Sequence, residues 1–173
     1  MDAFLLLLSL LPLIVVNIWH SVLLTRHAKD HKPHTISEHA VSSSRLLSIH
    51  RSMHWSASVI LIAFGLWYLL SQGYILACWL IIMGAIFDIL EVASLNKKSA
   101  SVIVAINHHV ITAWAMALCY LLYASVIVPI SGLPIILVIA IWASFAVLLA
   151  VSVLRRFKDF WITQHIYFCF LAL

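Results

Sequence analysis

Five stretches of this chain, residues 3–24, 53–70, 74–95, 102–126 and 133–154, are dominated by Leu, Ile, Val, Ala, Phe and Trp. Crossing the roughly 30 Å hydrocarbon core of a bilayer takes about 17–25 consecutive apolar residues as a helix. All five runs reach that length. No other regular structure can satisfy its own backbone in lipid with so few turns, so the runs predict membrane-spanning helices. A sixth run, residues 160–173, reaches only about 21 Å at roughly 1.5 Å per residue. It reads as a half-span, a re-entrant segment or a span cut short.

The composition leaves little room for a soluble alternative. Of 173 residues, 65% are hydrophobic and 9% charged, and the mean hydropathy is +1.12. A water-facing surface needs a charged share of roughly 25%. The expected architecture is therefore an all-α integral membrane protein. It is one domain over residues 1–173, a bundle of five full spans plus the short sixth segment. The first run lacks the basic lead and the small-residue cleavage site of a signal peptide, and is expected to be retained as a helix. Cys78, Cys119 and Cys169 all fall inside apolar runs without metal-type spacing, and read as packing residues.

Charge is distributed as sharply as hydropathy. The connectors Ser71-Gln72-Gly73 and Pro129-Ile130-Ser131-Gly132 carry no charge. The other connectors hold every Lys and Arg: Arg26, Lys29, Lys32, Arg45 and Arg51, then Lys97 and Lys98, then Arg155, Arg156 and Lys158. The two kinds alternate, so all ten cations fall on one side. By the positive-inside rule that side is cytoplasmic and the N-terminus is outside. The net charge of +4 thus reads as topology and attraction to anionic headgroups at the cytoplasmic face, with no role for nucleic acid. Residues 25–49 form a cytoplasmic connection rich in His and basic residues. Its His27, His31, His34 and His39 are expected in a hydrated interfacial loop interrupted at Pro33.

Against this background the ionisable residues inside the runs stand out. His20 lies near the cytoplasmic end of the first, and His50 and His54 open the second. Asp88 and Glu91 lie in the cytoplasmic half of the third, Asn107, His108 and His109 in that of the fourth, and Gln164 and His165 in the last. All fall in one leaflet. His50 and His54, four apart, share a helix face, as do Asp88 and Glu91, three apart. Adjacent His108 and His109 point about 100° apart, so one of them at most faces a common centre. Thr112 is expected on the His108 face. Side by side in low dielectric, Asp88 and Glu91 must share a proton, meet a cation or hold a metal. Trp19, Trp55, Tyr74 and Trp161 fit interface belts.

The residues admit several chemistries. Haem iron takes imidazole ligands from facing helices, with basic groups near its propionates. His54 with His108 or His109 fits the ligands, and Arg51, Arg155 or Arg156 the propionates. The stretch RLLSIHRSMHWSASVILIAFGLWYL, residues 45–69, resembles the first haem-binding helix of membrane cytochromes b of the b561 and nickel-hydrogenase type. In those proteins a short basic lead runs into a His-Trp pair. The resemblance implies one haem b near the cytoplasmic face, with His54 carried over as ligand. It also implies redox or electron transfer with a redox partner or partner subunit. This chain departs from that pattern in lacking two well-separated histidines on one helix and in carrying Asp88 and Glu91.

A non-haem site is the alternative. His20, His50, His54, Asp88, Glu91, His108, His109 and His165 form a ligand set suited to Fe or Zn in a membrane enzyme or metal transporter. The metalloprotease motif H-E-x-x-H and the histidine boxes of membrane desaturases are absent. A third expectation is a non-enzymatic module, either a pH-responsive or assembly subunit or a polar network that only holds helices together.

Overall fold

The computed structural model describes residues 11–22, 36–96, 108–153 and 166–167. Those residues are helical, with short turns between. The helices are α1 (Leu11–Val22), a short α2 (Ile36–Ala40), α3 (Ser44–Phe64), α4 (Ile75–Ser94), α5 (His108–Ile130) and α6 (Ile135–Val153). Among the described residues three helical segments are long and apolar enough to cross a membrane: Ser44–Leu69, Ile75–Ser94 and His108–Ile130. The apolar helices Leu11–Val22 and Ile135–Val151 are shorter. The sixth run apart from residues 166–167, the basic residues Lys97, Lys98, Arg155, Arg156 and Lys158, and His27, His31 and His34 lie outside the described residues.

The second span starts earlier than its hydropathy. The apolar run begins at Met53, but the helix begins at Ser44, because Ser43 caps it. The Ser43 backbone is extended and its hydroxyl accepts from the Leu46 N–H at 3.1 Å. His50 therefore lies inside a continuous helix rather than at its edge. At the other end the α-helical pattern loosens into a π-turn over Gly65–Leu69, a widening that inserts an extra residue into the turn.

The uncharged connectors behave as expected. Gly73 and Gly132 take positive φ of 75° and 73°, a region that only glycine adopts freely. They reverse the chain between α3 and α4 and between α5 and α6. The α5 helix runs through Pro129 into its last residue, Ile130.

The α4 helix is the centre of the bundle, packed against α3 and more extensively against α5. Its buried residues Ala77, Ile81, Gly84, Asp88 and Glu91 recur at alternating steps of four and three, the seam of closely packed helices. On α3 the buried set His50, His54, Ala57 and Leu61 has the same rhythm. Small residues on α4 let neighbours approach closely, as membrane helices require. A Cβ placed on Gly84 would lie 2.7 Å from Cε1 and 2.9 Å from Cδ1 of Tyr120.

Outward faces are apolar. Trp67 is 72% exposed, and Trp79 and Ile135 are each 61% exposed. A contiguous apolar surface of this kind belongs against lipid or another protein. Free thiols at Cys78 and Cys119 match the packing role expected from sequence, with the Cys78 thiol donating to the Gly65 carbonyl at 3.2 Å.

Replacing Gly84 by Ala should push the Tyr120 ring out of its seat on α4. A destabilisation of about 1–3 kcal/mol is expected for such overpacking, measurable by SDS titration of helical circular dichroism in detergent. An unchanged midpoint would mean that α4 and α5 do not touch at Gly84.

Candidate metal centre

The polar residues on the α1, α3, α4 and α5 faces meet inside the bundle. His20, His50, His54, Asp88, Glu91 and His109 are all buried. They form two tiers, set by the one-turn separation of Asp88 and Glu91 along α4.

The first tier is built around His54. Its Nδ1 lies 2.7 Å from Asp88 Oδ1, and its Nε2 lies 3.1 Å from His20 Nε2. The second Asp88 oxygen accepts from the Ser58 hydroxyl at 2.7 Å. His50, one turn before His54, stacks near it with ring centroids 4.3 Å apart. Its Nδ1 accepts from the Trp19 indole N–H at 3.2 Å. One ligand nitrogen from each of His20, His50 and His54 falls within 4.8 Å of the other two.

Proton positions follow from these partners. With His54 neutral, its proton sits on Nδ1 against Asp88, and Nε2 presents a lone pair to His20. With His54 as imidazolium, Nε2–H donates to His20 instead. In both cases the carboxylate fixes the ring and aims Nε2 into the cluster. The same arrangement orients metal-ligating histidines, whose other nitrogen donates to a carboxylate. His50 is arranged differently: because Nδ1 accepts from Trp19, the proton of the neutral ring is on Nε2.

The second tier joins Glu91 to His109. His109 Nδ1 lies 3.2 Å from Glu91 Oε1 and 3.3 Å from the Glu91 backbone oxygen. Ser37 of α2 also reaches the Glu91 carboxyl. Just beyond, Arg51 donates to the last carbonyls of α4: Nε to Val92 at 3.0 Å and Nη2 to Leu95 at 2.7 Å. Those carbonyls have no partner within their own helix, and a guanidinium there also meets the negative end of the helix dipole.

The ligand set expected from sequence thus divides. His20, His50 and His54 converge, with Asp88 behind His54. Glu91 and His109 pair with each other one turn away. His108 is exposed, in keeping with the expectation that one of the two adjacent histidines at most faces inward. Thr112 is buried and donates to the backbone oxygens of His108 and His109, so it does not follow the His108 side chain outward. Arg51 serves the end of α4. Asn107, Gln164 and His165 lie outside the described residues.

Sequence reasoning missed three participants. Ser58 was legible, since it is four residues beyond His54 and shares its face. Trp19 reads as an interface residue from its flanks, yet its indole N–H is committed to His50. Tyr120 has no polar neighbour in sequence to mark it. It lines a small cavity with His20, His54, Asp88, Asn17 and Met116.

No family model matches this chain, and neither a curated protein nor a solved structure is similar to it. The resemblance of residues 45–69 to membrane cytochromes b therefore rests on those residues alone.

The His54–Asp88 contact should show strong coupling in a double-mutant cycle. His54→Phe or Asp88→Leu alone strands a buried polar partner, whereas the double substitution strands neither. An interaction energy of about 1–3 kcal/mol is expected from SDS-unfolding midpoints. Additive effects would show that the two side chains do not meet.

Proposed function

We propose that this chain is a multi-pass membrane protein that holds a transition-metal ion, Fe or Zn, between α1 and α3. The ligands are His20, His50 and His54, and Asp88 orients His54 from behind. The observation that carries this reading is the approach of three buried ligand nitrogens to within 4.8 Å of one another.

Several features support it. The 3.1 Å separation of His20 Nε2 and His54 Nε2 is close to the roughly 3.3 Å edge between nitrogens on a tetrahedral ion with bonds of about 2.0–2.1 Å. All-imidazole ligation suits Zn and Fe. Three protein ligands leave a coordination position open, the pattern of metal sites that act on a bound molecule rather than brace a fold. A metal bound there acts as a Lewis acid and makes bound water more acidic. Placing it on the neutral imidazoles leaves the Asp88 carboxylate to offset part of the ion's charge.

This centre takes precedence over a haem-linked redox role. The cavity lined by His20 and His54 measures about 20 Å³, room for a water-sized ligand and far less than a porphyrin requires. Arg51, a residue suited to a propionate, is held by α4 carbonyls.

The topology belongs to the same proposal: an N-terminus outside, five full spans with a short sixth segment, and basic connectors on the cytoplasmic side. The alternation of charged and uncharged connectors supports it. The metal then lies in the cytoplasmic leaflet, with anionic headgroups as neighbours of the basic connectors.

Two experiments test the proposal. Elemental analysis of the full-length protein, purified in mild detergent without chelators, should find stoichiometric Zn or Fe and no Soret band. His20→Ala and His54→Ala should each lose the metal while His108→Ala retains it. A monodisperse wild-type protein without metal, even after reconstitution, would refute the centre. For topology, a cysteine at Gln72 in a Cys-free background should react with an impermeant maleimide on intact cells, and one at Asn96 only after permeabilisation. The reverse pattern would invert the assignment.

A further inference from the structure

Tyr120 is a residue at this site whose chemistry the three-histidine centre leaves unused. It projects from α5 towards α4 and is 3% exposed. Its ring is seated directly on Gly84, where any Cβ would collide with it. Its hydroxyl makes no hydrogen bond to any described residue. Burying an unpaired hydroxyl is costly, and a Phe of the same shape would avoid that cost. Yet Tyr120 lines the same small cavity as His20, His54 and Asp88.

The chemistry of that cavity narrows what the hydroxyl can meet. Apart from the Asn17 carboxamide, the rest of its wall is apolar, from Leu13, Val16, Ala57, Leu61 and Met116. Its volume of about 20 Å³ slightly exceeds the roughly 10–15 Å³ that one water needs. A phenol O–H donates best to an oxygen or nitrogen carrying negative charge. Both Asp88 oxygens are already engaged, by His54 and Ser58, and the Asn17 carboxamide on the same wall is a neutral acceptor. A negatively charged group in the open coordination position is the stronger partner for the phenol.

We propose that the Tyr120 hydroxyl donates a hydrogen bond to a small exogenous ligand on the metal held by His20, His50 and His54. The ligand is water-derived or a small inorganic anion, and the inference rests on the metal centre proposed above. Tyr120 thereby selects small ligands that can accept a hydrogen bond over apolar molecules of the same size. Gly84 is what allows α5 to bring the phenol this close.

The test uses full-length protein in detergent, stripped of metal and reloaded with Co(II), whose visible absorption reports its ligands. Azide is then titrated into the wild type, Tyr120→Phe and the control Tyr123→Phe. Both variants should bind Co(II) with wild-type stoichiometry, which also certifies their folding. Tyr120→Phe should weaken azide binding about 5- to 10-fold, the loss of one hydrogen bond, and Tyr123→Phe should match the wild type. If Co(II) does not bind the wild type, the metal centre falls and this inference with it. If Co(II) binds but azide leaves its spectrum unchanged, or binds Tyr120→Phe within about two-fold of wild type, the metal centre stands and the role of Tyr120 is overturned.

Discussion

Asp88 projects a carboxyl from a helix that is otherwise almost wholly apolar, into a space that neither water nor lipid can solvate. Leaving such a group unpaired costs several kcal/mol. Both of its oxygens are therefore taken, Oδ1 by His54 and Oδ2 by Ser58, and both partners come from α3. The requirement fixes more than one contact. It sets the rotation of α3 about its own axis, because His54 and Ser58 lie on one stripe and must face α4 together. It sets the axial register as well, because a one-turn shift towards the C-terminus of α3 would present Ser58 and Ile62 to the carboxyl in place of His54 and Ser58. Apolar packing alone is weak at specifying register between membrane helices, since lipid tails compete equally well for the same surface.

Once α3 is locked in this register, the rest of the site follows. His50, one turn before His54, is placed on the same face and meets Trp19. The far nitrogen of His54 is aimed at His20. Both contacts reach α1, so the polar cluster holds α1 against α3 through two side-chain pairs. One turn further along α4, Glu91 repeats the demand of Asp88 and is met from α5 by His109 and from α2 by Ser37. Arg51 then closes the end of α4. Four of these residues, His50, Arg51, His54 and Ser58, lie within three turns of α3, so a single helix face supplies the interior of the site and the cap of its neighbour.

Much of this was legible in the sequence. The all-helical class and the tight uncharged turns followed from apolar run length and from glycine and proline placement. The convergence of His20, His50, His54 and Asp88 followed from depth and helical phase. What periodicity could not supply was the sorting of the cluster. Asp88 and Glu91 share a face of α4 and look like one pair, yet Asp88 is answered from α3 and Glu91 from α5, and only the packing of those helices on α4 separates them. The start of α3 at Ser44 was hidden because hydropathy marks where lipid begins, whereas the helix begins at the Ser43 cap. Tyr120 was invisible for a related reason: its significance lies in a glycine on another helix that lets it approach.

The tautomers of the three histidines give the site a direction. His54 is prepared to receive a cation, since Asp88 holds its proton on the far side of the ring. His50 is prepared against it, because the Trp19 indole N–H occupies its Nδ1 and leaves the ring proton on Nε2. Ligation through Nε2 would move that proton to Nδ1 and set it against the indole N–H, donor facing donor, while ligation through Nδ1 would evict the indole directly. Either route separates Trp19 from His50. In the proposed centre, occupancy would therefore be coupled to the contact that helps dock α1: His20 would serve as a ligand while its neighbour, Trp19, gave up its hydrogen bond to His50. The binding free energy would be reduced by whatever that hydrogen bond contributes, about 0.5–1.5 kcal/mol for a neutral pair.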